Sequence, residues 1–94
     1  MVTYYVLLYD VVADYLEKRT PFRDAHLTLA RQAQERGELL LAGAFADPVD
    51  GAALVFTTED RSVPERFAGA DPYVKNGVVT AWRVRKWNVV VGGG

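Results

Sequence analysis

At 94 residues, with 11 basic and 12 acidic side chains and a net charge of −1, the chain is sized for one domain. It also lacks the positive excess that holds nucleic acid or an anionic membrane. With no cysteine and one histidine, disulfides, thiolate chemistry, Cys-ligated metals and multi-histidine metal centres are excluded, so no metal and no cofactor is expected.

A domain this small builds a marginal core alone, and a partner subunit is the remaining stabiliser. A homodimer, or a higher oligomer, is therefore expected. The cysteine-free composition fits a reducing cytosol, so a cytoplasmic setting is expected. Met1-Val2-Thr3-Tyr4-Tyr5 has no basic stretch leading an apolar one and does not read as a secretory signal. No apolar run approaches the roughly 20 residues of a membrane span.

Thr3 to Tyr9 is short, aromatic and aliphatic, which predicts a buried strand ended by Asp10. Asp14 to Lys18 suits a single helical turn. Thr20-Pro21 reads as an N-cap followed by proline at the first helical position, opening a helix to about Arg36 with Gly37 as its left-handed stop. On it, Phe22, Ala25, His26, Leu29 and Ala33 share one face, and Leu27 falls outside that stripe. Glu38 to Ala46 predicts a second strand. Asp47-Pro48-Val49-Asp50-Gly51 is a turn cluster, and Ala52 to Thr57 a third strand. Ser62-Val63-Pro64-Glu65 has the pattern of a capping box opening a short helix with Phe67 and Ala68 inward. Asp71-Pro72-Tyr73 repeats the cap-then-proline signal. Asn76-Gly77 supplies a turn before a long last strand, Val78 to about Val91, and Gly92-Gly93-Gly94 reads as a frayed end.

Strand, helix, strand, strand, helix, strand is the split βαβ order, predicting an α+β, ferredoxin-like βαββαβ fold: a four-stranded antiparallel sheet with helices on one face. Two short helices cover one face only. Yet Tyr4, Val6 and Leu8 alternate with Tyr5, Leu7 and Tyr9, and both sets are apolar. The uncovered face predicts an interface.

Most chemical signatures are absent: no phosphate loop, no dinucleotide fingerprint, no zincin helix. Ser62, the single serine, is better explained as a cap than as a nucleophile. The fold order also matches RNA-recognition domains, but Gly51 to Thr57 lacks their paired aromatics, so nucleic-acid binding is not expected. His26 sits one turn inside the first long helix. Its ordinary reading is a hydrogen-bonded core histidine; its functional reading is a general acid/base. Asp71 is sufficiently explained as a cap, and Asp10 and Arg19 as loop charges. Gly43 inside a strand suggests a bulge or a close approach.

Taken together, the strand ending in Asp10, Arg19, Arg23-Asp24-Ala25-His26-Leu27, Gly37, Ala42-Gly43 and Asp71-Pro72-Tyr73-Val74 with Gly77 resemble the YciI-like (YCII-related) family. The resemblance runs from Tyr4 to Trp87. It implies one ferredoxin-like domain over residues 1–94, dimerised as a two-sheet α+β barrel. It also implies a His/Asp-centred site mapping to His26 and Asp71, with Asp10 and Gly43 among the matched positions around the ligand. Ala44 stands where many members carry proline. Few members have an assigned reaction; one branch resembles dehydrochlorinases of hydroxylated aromatics, and muconolactone isomerases share the barrel.

The expectation is a cofactor-independent lyase or isomerase moving a proton on a small acid, with aromatic acids among the candidates. His26 would carry the proton and Asp71 would orient and stabilise its cation. Arg19 or Arg23 would pair with a substrate carboxylate, and Tyr73 would donate to a developing oxyanion. The alternatives are a non-catalytic small-molecule-binding or regulatory module in the same cavity, and a plain interaction domain.

Overall fold

The computed structural model describes residues 3–93. Four strands, β1 (Tyr4–Val11), β2 (Leu39–Ala44), β3 (Gly51–Thr57) and β4 (Val79–Trp87), form one sheet in the order β2-β3-β1-β4. Every neighbouring pair is antiparallel. The helices are α1 (Tyr15–Lys18), α2 (Arg23–Glu35), α3 (Ser62–Ala70) and α4 (Pro72–Lys75), with a 3₁₀ turn at Thr20–Phe22 leading into α2. This is the expected ferredoxin-like α+β order with an extra turn at each helical connection.

The pleat sorts β1 into two faces. Tyr5, Leu7 and Tyr9 stand opposite Phe56, Leu54 and Ala52 of β3 and Lys86, Val84 and Trp82 of β4. Against this face lie Ala30 and Ala33 of α2 and Phe67 and Ala68 of α3, making one buried cluster. Each large side chain fully buried there, Leu7 or Phe56 for example, contributes about 1.5–3 kcal/mol. The other face presents Tyr4, Val6, Leu8, Ala53 and Val55, with Arg83 and Arg85 along β4. No helix is long and apolar enough to cross a membrane among the described residues.

Several local expectations need correction. β1 does not end at Asp10. It continues through Asp10, which pairs with Gly51 and Ala81, before the register shifts ahead of Val11. The aspartate is tolerated in the strand because its side chain is exposed. Thr20 does not cap α2: its hydroxyl donates back to the Leu16 carbonyl at 3.2 Å, and α2 starts at Arg23 with no side-chain cap. Ser62 does not form a capping box. It lies within α3, and the Asp60 carboxylate ahead of the helix accepts from its backbone N–H at 2.9 Å and its hydroxyl at 2.7 Å. Those Ser62 hydrogen bonds hold the Asp60 carboxyl below its usual range.

Ala25 is exposed, while Ala30, absent from the expected stripe, is buried. β4 ends at Trp87 rather than near Val91. The segment beyond it brings Gly93 against the Tyr4 ring, close enough that a Cβ there would lie 2.8 Å from the hydroxyl oxygen, so the end is not frayed at that point. Gly94 lies outside the described residues, as do Met1 and Val2.

The backbone calls for glycine at two positions for different reasons. Gly37 stops α2 at φ +78°, as expected. Gly51 begins β3 where a Cβ would meet the Tyr9 carbonyl oxygen at 2.7 Å, so only glycine lets β3 lie this close to Tyr9.

Candidate active site

Asp71 occupies the joint between α3 and α4 and is fully buried, with 0% of its surface exposed. Its Oδ1 accepts the Tyr73 backbone N–H at 3.0 Å, which caps α4 as the Asp-Pro signal implied. Its Oδ2 accepts the Tyr9 hydroxyl at 2.7 Å. His26, one turn into α2, brings Nδ1 to 2.9 Å from Oδ1 and 3.0 Å from Oδ2. One carboxylate therefore serves as helix cap, phenol acceptor and imidazole partner. Leaving an ionised carboxylate buried costs several kcal/mol unless donors surround it, and here β1, α2 and α4 each supply one.

Because an ionised carboxylate only accepts, Nδ1 of His26 is the donor, which leaves Nε2 as the ring's free acceptor when neutral. Nε2 has no hydrogen-bond partner among the described residues. The ring is held flat against Tyr73, with centroids 3.9 Å apart and planes 9° from parallel. Phe67 meets it edge-on at 6.5 Å. The imidazole is thus fixed in position and hydrogen bonding, with 13% of its side-chain surface still exposed.

The phenols around it keep their protons. Burial, followed by the adjacent Asp71 charge, pushes Tyr9 well above the ordinary phenol range. Burial, followed by neighbouring Tyr15, pushes Tyr73 up to about 12. Both are therefore hydrogen-bond donors near neutral pH.

His26 opens on a cavity of about 450 Å³ between α2 and the β2–β3 side of the sheet. Arg19, Arg23, Tyr73 and Gly43 line it together with His26, so five of the expected site residues face one space. Asp71 supports that site from beneath. Asp10 does not reach it: alternation turns its side chain to the opposite face from Tyr9, and its carbonyl accepts the Thr80 hydroxyl at 3.3 Å. Gly43 has neither of its expected causes. The register shift of β2 lies between Leu39 and Leu41, and a Cβ on Gly43 would meet nothing within 4 Å. Leu27, unexplained by the helix stripe, is a wall of the cavity.

Tyr9, Tyr15, Arg31 and Gln34 also line the site and were missed. Strand alternation put Tyr9 on the inner face but gave no sign that its hydroxyl meets Asp71. Arg31 and Gln34 could have been found as Leu27+4 and Leu27+7, the continuation of a second stripe along α2. Among the described residues no cluster of His, Asp and Glu could hold a metal ion.

Comparison with known proteins gives the family and the fold. The family model of the YCII-related domain matches residues 2–88. Protein YciI of Escherichia coli O6:H1 is 35% identical over 83 residues, covering 79% of this chain and 85% of that protein. An uncharacterised protein of Haemophilus influenzae is 32% identical over 84 residues, covering 80% and 86%. In structure the chain is similar to the 5-chloro-2-hydroxyhydroquinone dehydrochlorinase TftG of Burkholderia phenoliruptrix AC1100, solved with 2,5-dihydroxybenzoquinone. The TM-score is 0.74 over 90% of this chain and 93% of that one, at 18% identity, a likeness of fold.

Proposed function

Because this chain belongs to the YCII-related family, we propose that it is a small cofactor-independent enzyme of the lyase or isomerase type. Its substrate in this reading is a small hydroxylated aromatic acid, and the reaction is a proton transfer carried by the His26–Asp71 pair. The observation that carries this reading is the Tyr9–Asp71–His26 hydrogen-bond chain ending in a free Nε2 at a cavity.

In this mechanism Nε2 takes a proton from the substrate and the ring becomes an imidazolium. Asp71 stabilises that cation through Nδ1–H and prevents the ring from turning. The electron pair left behind moves into the conjugated system. It expels a leaving group on an adjacent carbon in a lyase, or accepts the proton back from Nε2 at a second atom in an isomerase. The Tyr73 hydroxyl, protonated near neutral pH, donates to the oxygen on which charge develops. Arg19, beside the Tyr15 ring at 5.1 Å, and Arg23 hold the substrate carboxylate.

A homodimer working in the cytoplasm belongs to the same reading. Its support is the apolar sheet face left without helices, with Val6, Leu8, Ala53 and Val55 at its centre and Leu41, 60% exposed, at its edge. A second copy of that face would complete a two-sheet barrel, and a standard interface buries roughly 1,600 Å².

The test is deuterium uptake from D2O into a panel of hydroxylated benzoates and hydroxyquinones, 2,5-dihydroxybenzoquinone included, followed by NMR. The wild type is expected to exchange at least one carbon-bound proton, and His26→Gln to lose that exchange at least 100-fold. Exchange unchanged in His26→Gln removes the catalytic reading. Tight binding in both proteins without exchange in either makes the chain a ligand-binding module.

A further inference from the structure

The cavity wall carries three arginines, Arg19, Arg23 and Arg31, and no acidic residue, in a chain whose net charge is −1. None of the three has a carboxylate partner among the described residues; the ion pairs of the fold are made by Lys18, Arg36 and Arg61, with His26 on Asp71. Asp71 pairs with none of them: it is fully buried and already bonded to Tyr9, His26 and Tyr73, and the three arginines outnumber its single charge.

The arginines are also spaced. On α2, Arg23 precedes His26 by three residues and Arg31 follows it by five, so along the axis they stand about 4.5 Å and 7.5 Å to either side. Arg19 stands with Arg23 at one end, and Gln34, three residues beyond Arg31, adds an amide donor at the other.

We propose that the ligand of this cavity is a planar dianion, with one acid group held by Arg19 and Arg23 and the second by Arg31 and Gln34, straddling His26. The inference rests on the site proposed above and adds its substrate class and two specificity-determining residues. Unpaired positive charge facing a cavity of about 450 Å³, roomy enough for a ring bearing two acid groups, favours two anionic groups over one. The flat His26–Tyr73 stack between the two ends suits an aromatic or conjugated body.

The test is calorimetric titration of the wild-type protein at low ionic strength with terephthalate, a two-carboxylate ring, and benzoate, its one-carboxylate counterpart. Terephthalate is expected to bind about tenfold more tightly, the size of one charge-assisted contact. Arg31→Met, at an exposed position with folding checked by circular dichroism, is expected to bring terephthalate to the benzoate level while weakening benzoate much less. Gln34→Leu should give a smaller loss of the same kind. Equal affinities, no binding of either probe, or a preference that survives Arg31→Met would overturn the inference. Repeating the titration in His26→Gln separates the two readings. Dianion preference kept while exchange never depended on His26 refutes the catalysis alone; His26-dependent exchange without dianion preference refutes the dianion alone.

Discussion

The two faces of the sheet are built from the same alternating apolar residues of β1 yet do different work. On one face Tyr5, Leu7 and Tyr9 meet helices, and Tyr9 converts burial into a placed hydrogen bond on Asp71. On the other, Tyr4, Val6 and Leu8 meet no helix, and Trp87 remains 50% exposed at the β4 end. Apolar patterning locates buried surface, while polar atoms placed at the end of a core side chain locate the candidate site.

Substitutions can break this contrast. The largest effect is expected from Leu7→Glu, which buries a charge without a partner in the helix-covered face. It should abolish cooperative unfolding, measured by thermal melts followed by circular dichroism. Phe56→Ala should cost about 3–5 kcal/mol in urea unfolding, because the ring is wholly buried between sheet and α3. On the other face Val6→Glu should leave the fold largely intact while halving the mass seen by sedimentation. A wild type that already sediments at the 10.4 kDa chain mass would refute the proposed dimer.

Smaller changes sharpen the contrast within the buried face. Tyr9→Phe keeps the ring and deletes one donor to Asp71, which should cost about 1–3 kcal/mol in the same urea assay and weaken proton exchange. The smallest effect is on alkaline stability. Tyr9 and Tyr73 hold their protons more tightly folded than unfolded, Tyr73 up to about 12. Their contribution is therefore complete below the ordinary phenol value of about 10 and is lost as pH rises through the folded values. Unfolding midpoints should fall above about pH 10, and less steeply in Tyr9→Phe.

Much of this was legible in the sequence for definite reasons. The succession of strands and helices along the chain followed from short β-branched and aromatic runs separated by Gly and Pro signals. Gly37 and the Asp71-Pro72 cap followed from backbone rules that tertiary contacts leave intact. The caps at Thr20 and Ser62 were misread because a hydroxyl has competing partners: the Leu16 carbonyl took one, and the stronger acceptor Asp60 took over the other. Composition made His26 conspicuous, and the family resemblance paired it with Asp71. Tyr9 is separated from Asp71 by 62 residues, a closure that no local pattern encodes. Arg31 and Gln34 were hidden because a charged or amide residue on a helix ordinarily reads as solvated surface.

The central claim, that Asp71 fixes His26 for proton transfer, is tested most directly by ¹⁵N NMR of the His26 ring at mildly alkaline pH. The account predicts that the neutral form of the ring carries its proton at Nδ1 and leaves Nε2 bare. Asp71→Ala, with folding checked by circular dichroism, removes both oxygens that accept Nδ1–H. The tautomer should then shift toward Nε2–H and the proton exchange should fall with it. A wild-type ring protonated at Nε2, or a ring whose tautomer is the same in Asp71→Ala, would contradict the account.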